Sequence, residues 1–250
     1  MIGSLNVALL LTNSATGAAA VVSPSQLNAS VYTAAMKSGS FHYVDLQRIG
    51  FGGPIGSQNE TGDVSLNRGI QFISGTLGNS ETIVVGTAAY LKANAPALEV
   101  GLLWSKSMAT KYANRWISFT PKDWPYDSVI EFVVTRTFWD DPERSSVESL
   151  PQKPTSIGPK STLDGESVES VASSIHDIEK STNSSFIGDS RVYFDSSSPH
   201  LPFVVTDSTS GTEAGSPQSQ QDVATFTKWG ETVKVTAPTG AVAFSSLPKS

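Results

Sequence analysis

SFHYVDLQRI, residues Ser40–Ile49, alternates: His42, Val44 and Leu46 share one parity, and Tyr43, Asp45 and Gln47 share the other. A period of two marks a half-buried β-strand with its apolar set facing the core. That reading puts His42, Val44 and Leu46 inside. In DVSLNRGIQFISGT (Asp63–Thr76), Val64, Leu66, Ile70 and Phe72 align in the same way, which predicts a long strand or a strand with a bulge at Gly69. Between them FGGPIGSQNETG (Phe51–Gly62) is dense in turn formers and reads as a loop. ETIVVG and TAAYLKA follow as a hairpin around Gly86. Ahead of Ser40, the run from Ser23 reads as a helix capped by Ser25 and stopped at Gly39, with Leu27, Val31, Ala34 and Ala35 at helical spacing.

Beyond Ala93 the pattern changes. Leu98, Leu102, Met108 and Tyr112 recur at near-helical spacing and predict one or two short helices within Ala95–Arg115. WISF is a brief strand. Asp123–Asp141 reads as a helix capped by Asp127 and striped by Ile130, Val133, Val134, Thr137 and Phe138. Strands return after Pro154, first as a hairpin turning at Asp164-Gly165, a favoured type I′ pair. Asn183–Ser196 and Leu201–Ser208 read as strands, TSGTEAGSPQSQ as a loop, and DVATFTKW with ETVKVTAP as a last hairpin about Gly230-Glu231. Strands on both sides of a helical insert predict an α+β fold with one antiparallel sheet, which has to curl or be covered. No fixed-period repeat is present.

Of 250 residues, 16% are charged and about a quarter are Ser or Thr; the net charge is −6. A nucleic-acid binder must neutralise phosphates and shows a basic face, so that class is disfavoured, as is electrostatic docking on anionic lipid. The absence of cysteine removes disulfides, thiol catalysis and thiolate metal sites. LNVALLL (5–11) followed by Ala18–Ala20 has the outline of an export signal, but no Lys or Arg precedes it. Residues 1–22 therefore read as an export signal or a disordered leader, and 23–250 as a single domain. No stretch approaches the roughly 18–20 apolar residues of a transmembrane span.

The chemistry-bearing residues form no familiar constellation. His42, His176 and His200 show no metal-ligand spacing, and His42 reads as a structural histidine. Asp140-Asp141 beside Glu143-Arg144 has carboxylates for a cation, but a solvated helix end is the better reading of them. Neither a phosphate loop nor a nucleophile elbow is present. The expectation is a protein that is not an enzyme and needs no cofactor. What remains is aromatic: Trp104, Trp116, Trp124 and Trp139 gather in the helical insert, with Trp229 apart.

FTKWGETVKVTAPTGAV (Phe226–Val242) resembles the C-terminal strand pair of the actinobacterial LppX/LprG-like lipoproteins, in the wider LolA/LolB lipoprotein-carrier superfamily. AAMKSGSFHYV, YLKANAPAL and KYANRWISFTPKDWPY resemble the same group, in the same order, so the resemblance spans most of the chain from about Ser25. It implies a strongly curved antiparallel half-barrel, helices on its concave side, and lipid or lipoprotein acyl chains held between them outside the cytoplasm. The chain departs from the group in lacking a lipobox cysteine. Strand parity and helix stripes give the cavity lining as Leu46, Ile70, Phe72, Tyr90, Trp116, Phe132, Val133, Val192, Phe194, Val205 and Phe226. The alternative from a different class is a cell-envelope interaction or structural protein with a filled core and a protein partner.

Overall fold

The computed structural model describes residues 22–51, 56–138, 150–151, 153–179, 184–213 and 215–248. Helix α1 (Pro24–Ser38) is capped two residues earlier than expected. Ser23, not Ser25, takes the N-cap; its hydroxyl accepts from the Gln26 amide at 3.2 Å, and the Gln26 side chain returns the bond to the Ser23 N–H. Gly39, at φ 75°, stops the helix in a left-handed turn, and the chain passes directly into β1 (Ser40–Phe51).

A meander follows: β2 (Gly56–Ser65), β3 (Arg68–Gly75), β4 (Gly78–Val85) and β5 (Ala88–Ala93). Two expectations change here. The stretch from Gly56 is strand, not loop, because β1 and β3 pair with it on both sides and satisfy its backbone despite its turn formers. Asp63–Thr76 is not one strand, bulged or regular; it turns at Leu66-Asn67. Gly69 marks a close approach instead: a Cβ there would overlap the Val133 carbonyl oxygen.

The insert comprises α2 (Ala95–Gly101), α3 (Lys106–Tyr112), β6 (Ile117–Phe119), α4 (Tyr126–Ile130) and α5 (Thr135–Phe138). The single helix expected over Asp123–Asp141 is two short pieces. Pro125, not Asp127, precedes the first helical residue, and it offers no side-chain cap. Between the pieces Val134 forms an isolated parallel bridge with Ser65, an extended contact that suits a β-branched residue and breaks the helix.

The second meander is β7 (Ser156–Leu163), β8 (Glu166–Glu179), β9 (Ser184–Asp195), β10 (Pro202–Glu213) and β11 (Ser216–Thr227). Asp164 and Gly165 hold φ of 51° and 90°, as a type I′ turn demands. TSGTEAGSPQSQ is not a loop: Thr209–Glu213 pairs with Ser216–Gln220, extending the β10–β11 ladder. The last hairpin is absent. β11 already lies between β10 and β1, so ETVKVTAP has no open edge beside it. The chain turns at Gly230, whose N–H donates to the Ser40 carbonyl, and crosses to form β12 (Val242–Ala243) against β6.

The twelve strands among the described residues form one open sheet, ordered β12-β6-β5-β4-β3-β2-β1-β11-β10-β9-β8-β7 and antiparallel except at β12–β6. The two meanders thus meet at β1–β11. The architecture is α+β, a strongly curved sheet with helices on its concave face. Two apolar clusters fill that side. One joins Leu27, Val31 and Ala35 of α1 to Phe41, Tyr43, Val192, Phe194, Val205 and Phe226. The other packs α2–α4 on β4–β6 around Leu98, Tyr112, Ile117, Phe119 and Ile130. The leader, except Val22, Trp139, the Asp140–Arg144 cation candidate and the His176 side chain lie outside the described residues.

Candidate functional site on the concave face

Directly opposed residues of an antiparallel pair point to the same side, so the ladders give the concave surface row by row. One row runs Glu60, Asp45, Ala224, Val205, Val192, Val171 across β2, β1, β11, β10, β9 and β8. The next runs Gln58, Gln47, Asp222, Asp207, Ser190, Ser173. The apolar floor therefore gives way to a polar belt within one pleat. The belt is buried: Asp45, Glu60, Asp207, Asp222, Ser173 and Ser190 are all shielded from solvent.

Three of the four acids share one local device. A glutamine two residues along the same strand, hence on the same face, donates its side-chain N–H to the carboxylate. Gln47 serves Asp45, Gln58 serves Glu60 and Gln220 serves Asp222, each at 2.6 Å. Gln71 adds a 3.2 Å bond to Glu60 and a 2.8 Å bond to the Tyr43 hydroxyl, which ties the belt to the aromatic floor. Asp207 has no such amide. Among the described residues no Lys or Arg ion-pairs with Glu60, Asp207 or Asp222.

Neutral donors do not offset the loss of water around several negative charges. Burial, and then the Asp45 charge, push Glu60 up to about 7 against the pull of Gln58. Burial pushes Asp222 up to about 8; Gln220 opposes it, and Asp45, Asp207 and Glu60 add to it. Burial and Asp189 push Asp207 to about 6. Perturbed acids grouped on one buried face of the sheet mark a functional-site candidate. Among the described residues no three His, Asp or Glu side chains are arranged to hold a metal ion.

The expected lining divides in two. Val192, Phe194, Val205 and Phe226 lie in the apolar floor, Phe132 packs on it, and Val133 is buried with α4. Leu46, Ile70 and Phe72 occupy the opposite parity from Asp45 and Gln71, on the outer face, where Leu46 is 54% and Phe72 44% exposed. Tyr90 takes the parity opposite buried Ala89, and Trp116 is half-buried under the Lys92 ammonium at 5.6 Å. These five do not line a space between sheet and helices. The β1 parity is reversed because its inward face carries Phe41 and Tyr43, then an acid, so Val44 and Leu46 fall outside. His42 is likewise on the outer face, paired with Asp63 at 2.8 Å. His200 is half-buried, and its Nδ1 lies 2.8 Å from the Ser30 hydroxyl. The four acids were missed; the Asp-x-Gln, Gln-x-Glu and Gln-x-Asp spacing within strands marks Asp45, Glu60 and Asp222, while Asp207 has no such local signal.

No protein-family model matches the chain, and no curated protein matches its sequence. Solved structures similar to it include a LolA superfamily protein from Nitrosomonas europaea, at 8% identity and a TM-score of 0.28, covering 83% of this chain and 92% of that one. A domain described as an outer membrane lipoprotein-sorting protein, from Vibrio parahaemolyticus, gives 9% and 0.25 over 80% and 93%. A DUF1329 family protein from Desulfovibrio piger gives 8% and 0.24 over 81% and 91%. The first of these is described as a LolA superfamily protein and the second as a lipoprotein-sorting domain; neither description names the actinobacterial LppX/LprG-like group. At such values the likeness carries no functional argument.

Proposed function

We propose that the chain is a non-enzymatic, extracytoplasmic carrier that binds a lipid or other acylated amphiphile between the concave face and its helical cover, within one domain spanning 23–250. The observation that carries this reading is how the cover is built. α4 and α5 have five and four residues, far below the length at which a helix holds itself. Side-chain wedges hold them instead. Phe138 stands edge-on to Phe41 at 4.8 Å, Tyr43 at 5.0 Å and Phe226 at 5.9 Å, and Phe132 meets Phe138 at 6.1 Å. An acyl chain offers the same apolar contact, worth about 0.8 kcal/mol per buried CH₂, and can take the place of such wedges. The buried acid belt lies one pleat beyond the floor, where a headgroup would sit. No helix among the described residues is long and apolar enough to cross a membrane.

Organic extraction of the natively folded protein, with mass spectrometry of the extract, is the test. A stoichiometric amphiphile, lost on Phe132→Asp while the sheet keeps its circular dichroism, is the expected result. A clean extract, repeated after incubation with envelope lipids, sinks the carrier. It would favour the second reading, an interaction module whose two clusters its own side chains fill, as the full burial of Phe41, Tyr43, Phe119 and Phe194 allows.

A further inference from the structure

We propose that the amphiphile bound on the concave face carries a primary ammonium headgroup, seated against Asp207 and Asp222; this rests on the carrier reading above. A group of acids alone would not require a ligand. The second observation is orphaned acceptors. Asp207 is 6% exposed, and its buried Oδ1 has no hydrogen-bond partner among the described residues. Asp222 is 1% exposed; Gln220 serves one oxygen, and the other, Oδ1, has no partner among them. The two residues are directly opposed across β10–β11 and point to the same side. A buried acceptor without a donor costs about 1–3 kcal/mol, and more when it is charged.

A group that is both a donor and a cation meets both needs, filling the orphaned acceptors and holding the carboxyls in their charged form. An –NH₃⁺ group brings three N–H donors and one positive charge. A quaternary ammonium brings charge without donors, and an alcohol a donor without charge. A carboxylate or phosphate headgroup would add negative charge to a belt that already crowds it. The groups facing Asp222 are Asp45 from β1, Glu60 from β2 and Asp207 from β10, and Asp189 of β9 acts on Asp207. Two nearby arginines face away. Arg48 lies on the outer parity with Ser57, Ser208 and Gln221, and Arg191 donates to Ser170 at 3.1 Å. Position in the fold agrees, because the belt begins one pleat from Ala224, Val205 and Val192, so a tail on the apolar floor leaves its polar end at the acids.

The raised acids make a second readout. Arrival of a cation favours their charged forms, so ammonium binding near neutral pH releases protons, and its heat changes with the ionisation enthalpy of the buffer.

The test is calorimetric titration of lipid-extracted, refolded protein at pH 7.5 with hexadecylamine, hexadecyltrimethylammonium, hexadecanol and hexadecanoate, each below its micelle threshold. Hexadecylamine is expected to bind about tenfold or more tighter than the others, the equivalent of one charge-assisted hydrogen bond, with a buffer-dependent heat. The Asp207→Asn, Asp222→Asn double variant should lose that preference. Should it fail to fold, the ligand series on the parent chain still decides. Equal or tighter binding of hexadecanol, hexadecanoate or the trimethylammonium compound overturns the headgroup assignment and leaves the carrier standing. Binding of none of the four overturns both.

Discussion

Asp222 makes the clearest demand at the scale of single residues. A carboxyl that holds its proton more tightly folded than unfolded lowers stability as pH rises, because the native state then binds more protons than the unfolded chain. Glu60, near 7, Asp207, near 6, and Asp222, near 8, all start from ordinary values around 4. Their contribution is intact below about pH 4 and is lost as pH climbs through 6 to 8. Asp222→Asn is expected to differ little from the parent at pH 5, where the native acid is protonated, and to gain several degrees in melting temperature over it at pH 8.5. A difference that stays constant with pH would mean the acid is solvated or paired. These residues were hidden in the sequence for a physical reason. Hydropathy assigns strand faces by assuming that the inward one is apolar, and the inward face of β1 reads Phe41, Tyr43, Asp45, Gln47. Val44 and Leu46 on the other side outweighed it.

Among elements, the cover is the least self-sufficient and the sheet beneath it the most constrained. β3 meets the cover through bare backbone, at Gly69 under Val133. Gly69→Ala sets a methyl against a peptide oxygen rather than against a flexible side-chain tip, so either the strand or the cover must shift. A loss of about 1–3 kcal/mol is expected, the usual cost of overpacking. Hydrogen exchange should quicken in 126–138 while β9–β11 keep their protection. Uniform quickening across the sheet would mean that β3 moves and the cover does not. Elements with a local signature were legible: α1 from its apolar spacing and Gly39, α2 and α3 from theirs, and the β7–β8 turn from Asp164-Gly165. The α4–α5 break was not, because the Val133-Val134 pair fits a helical stripe as well as the extended bridge to Ser65 that it makes.

For the whole molecule the deciding contact is the seam between β1 and β11, which joins residues 42–51 to 218–227. No local pattern encodes so distant a pairing, and for the same reason ETVKVTAP, though strand-like, looked like the partner of β11. The seam places both meanders in one open sheet and leaves two edges, β12 and β7. Open edges invite other chains to pair, and each is blunted here. β12 has two residues and runs into a 3₁₀ turn at Phe244–Ser246. β7 has eight, almost all exposed, but Pro159 removes a donor, Lys160 sets a charge there, and the register slips between Gly158 and Ser161. Lys160 is exposed and reaches the half-buried Glu169 at 3.1 Å, which sets a charged side chain on the open edge. Replacing both residues by threonine restores the donor, removes the charge and raises strand propensity along an otherwise unpaired ladder. Pro159→Thr with Lys160→Thr should leave monomer stability within about 1 kcal/mol and yet drive concentration-dependent association, read as rising mass in light scattering behind size exclusion. A mass that matches the parent chain at every concentration would show that the twist of the sheet, and not these two side chains, keeps the edge closed.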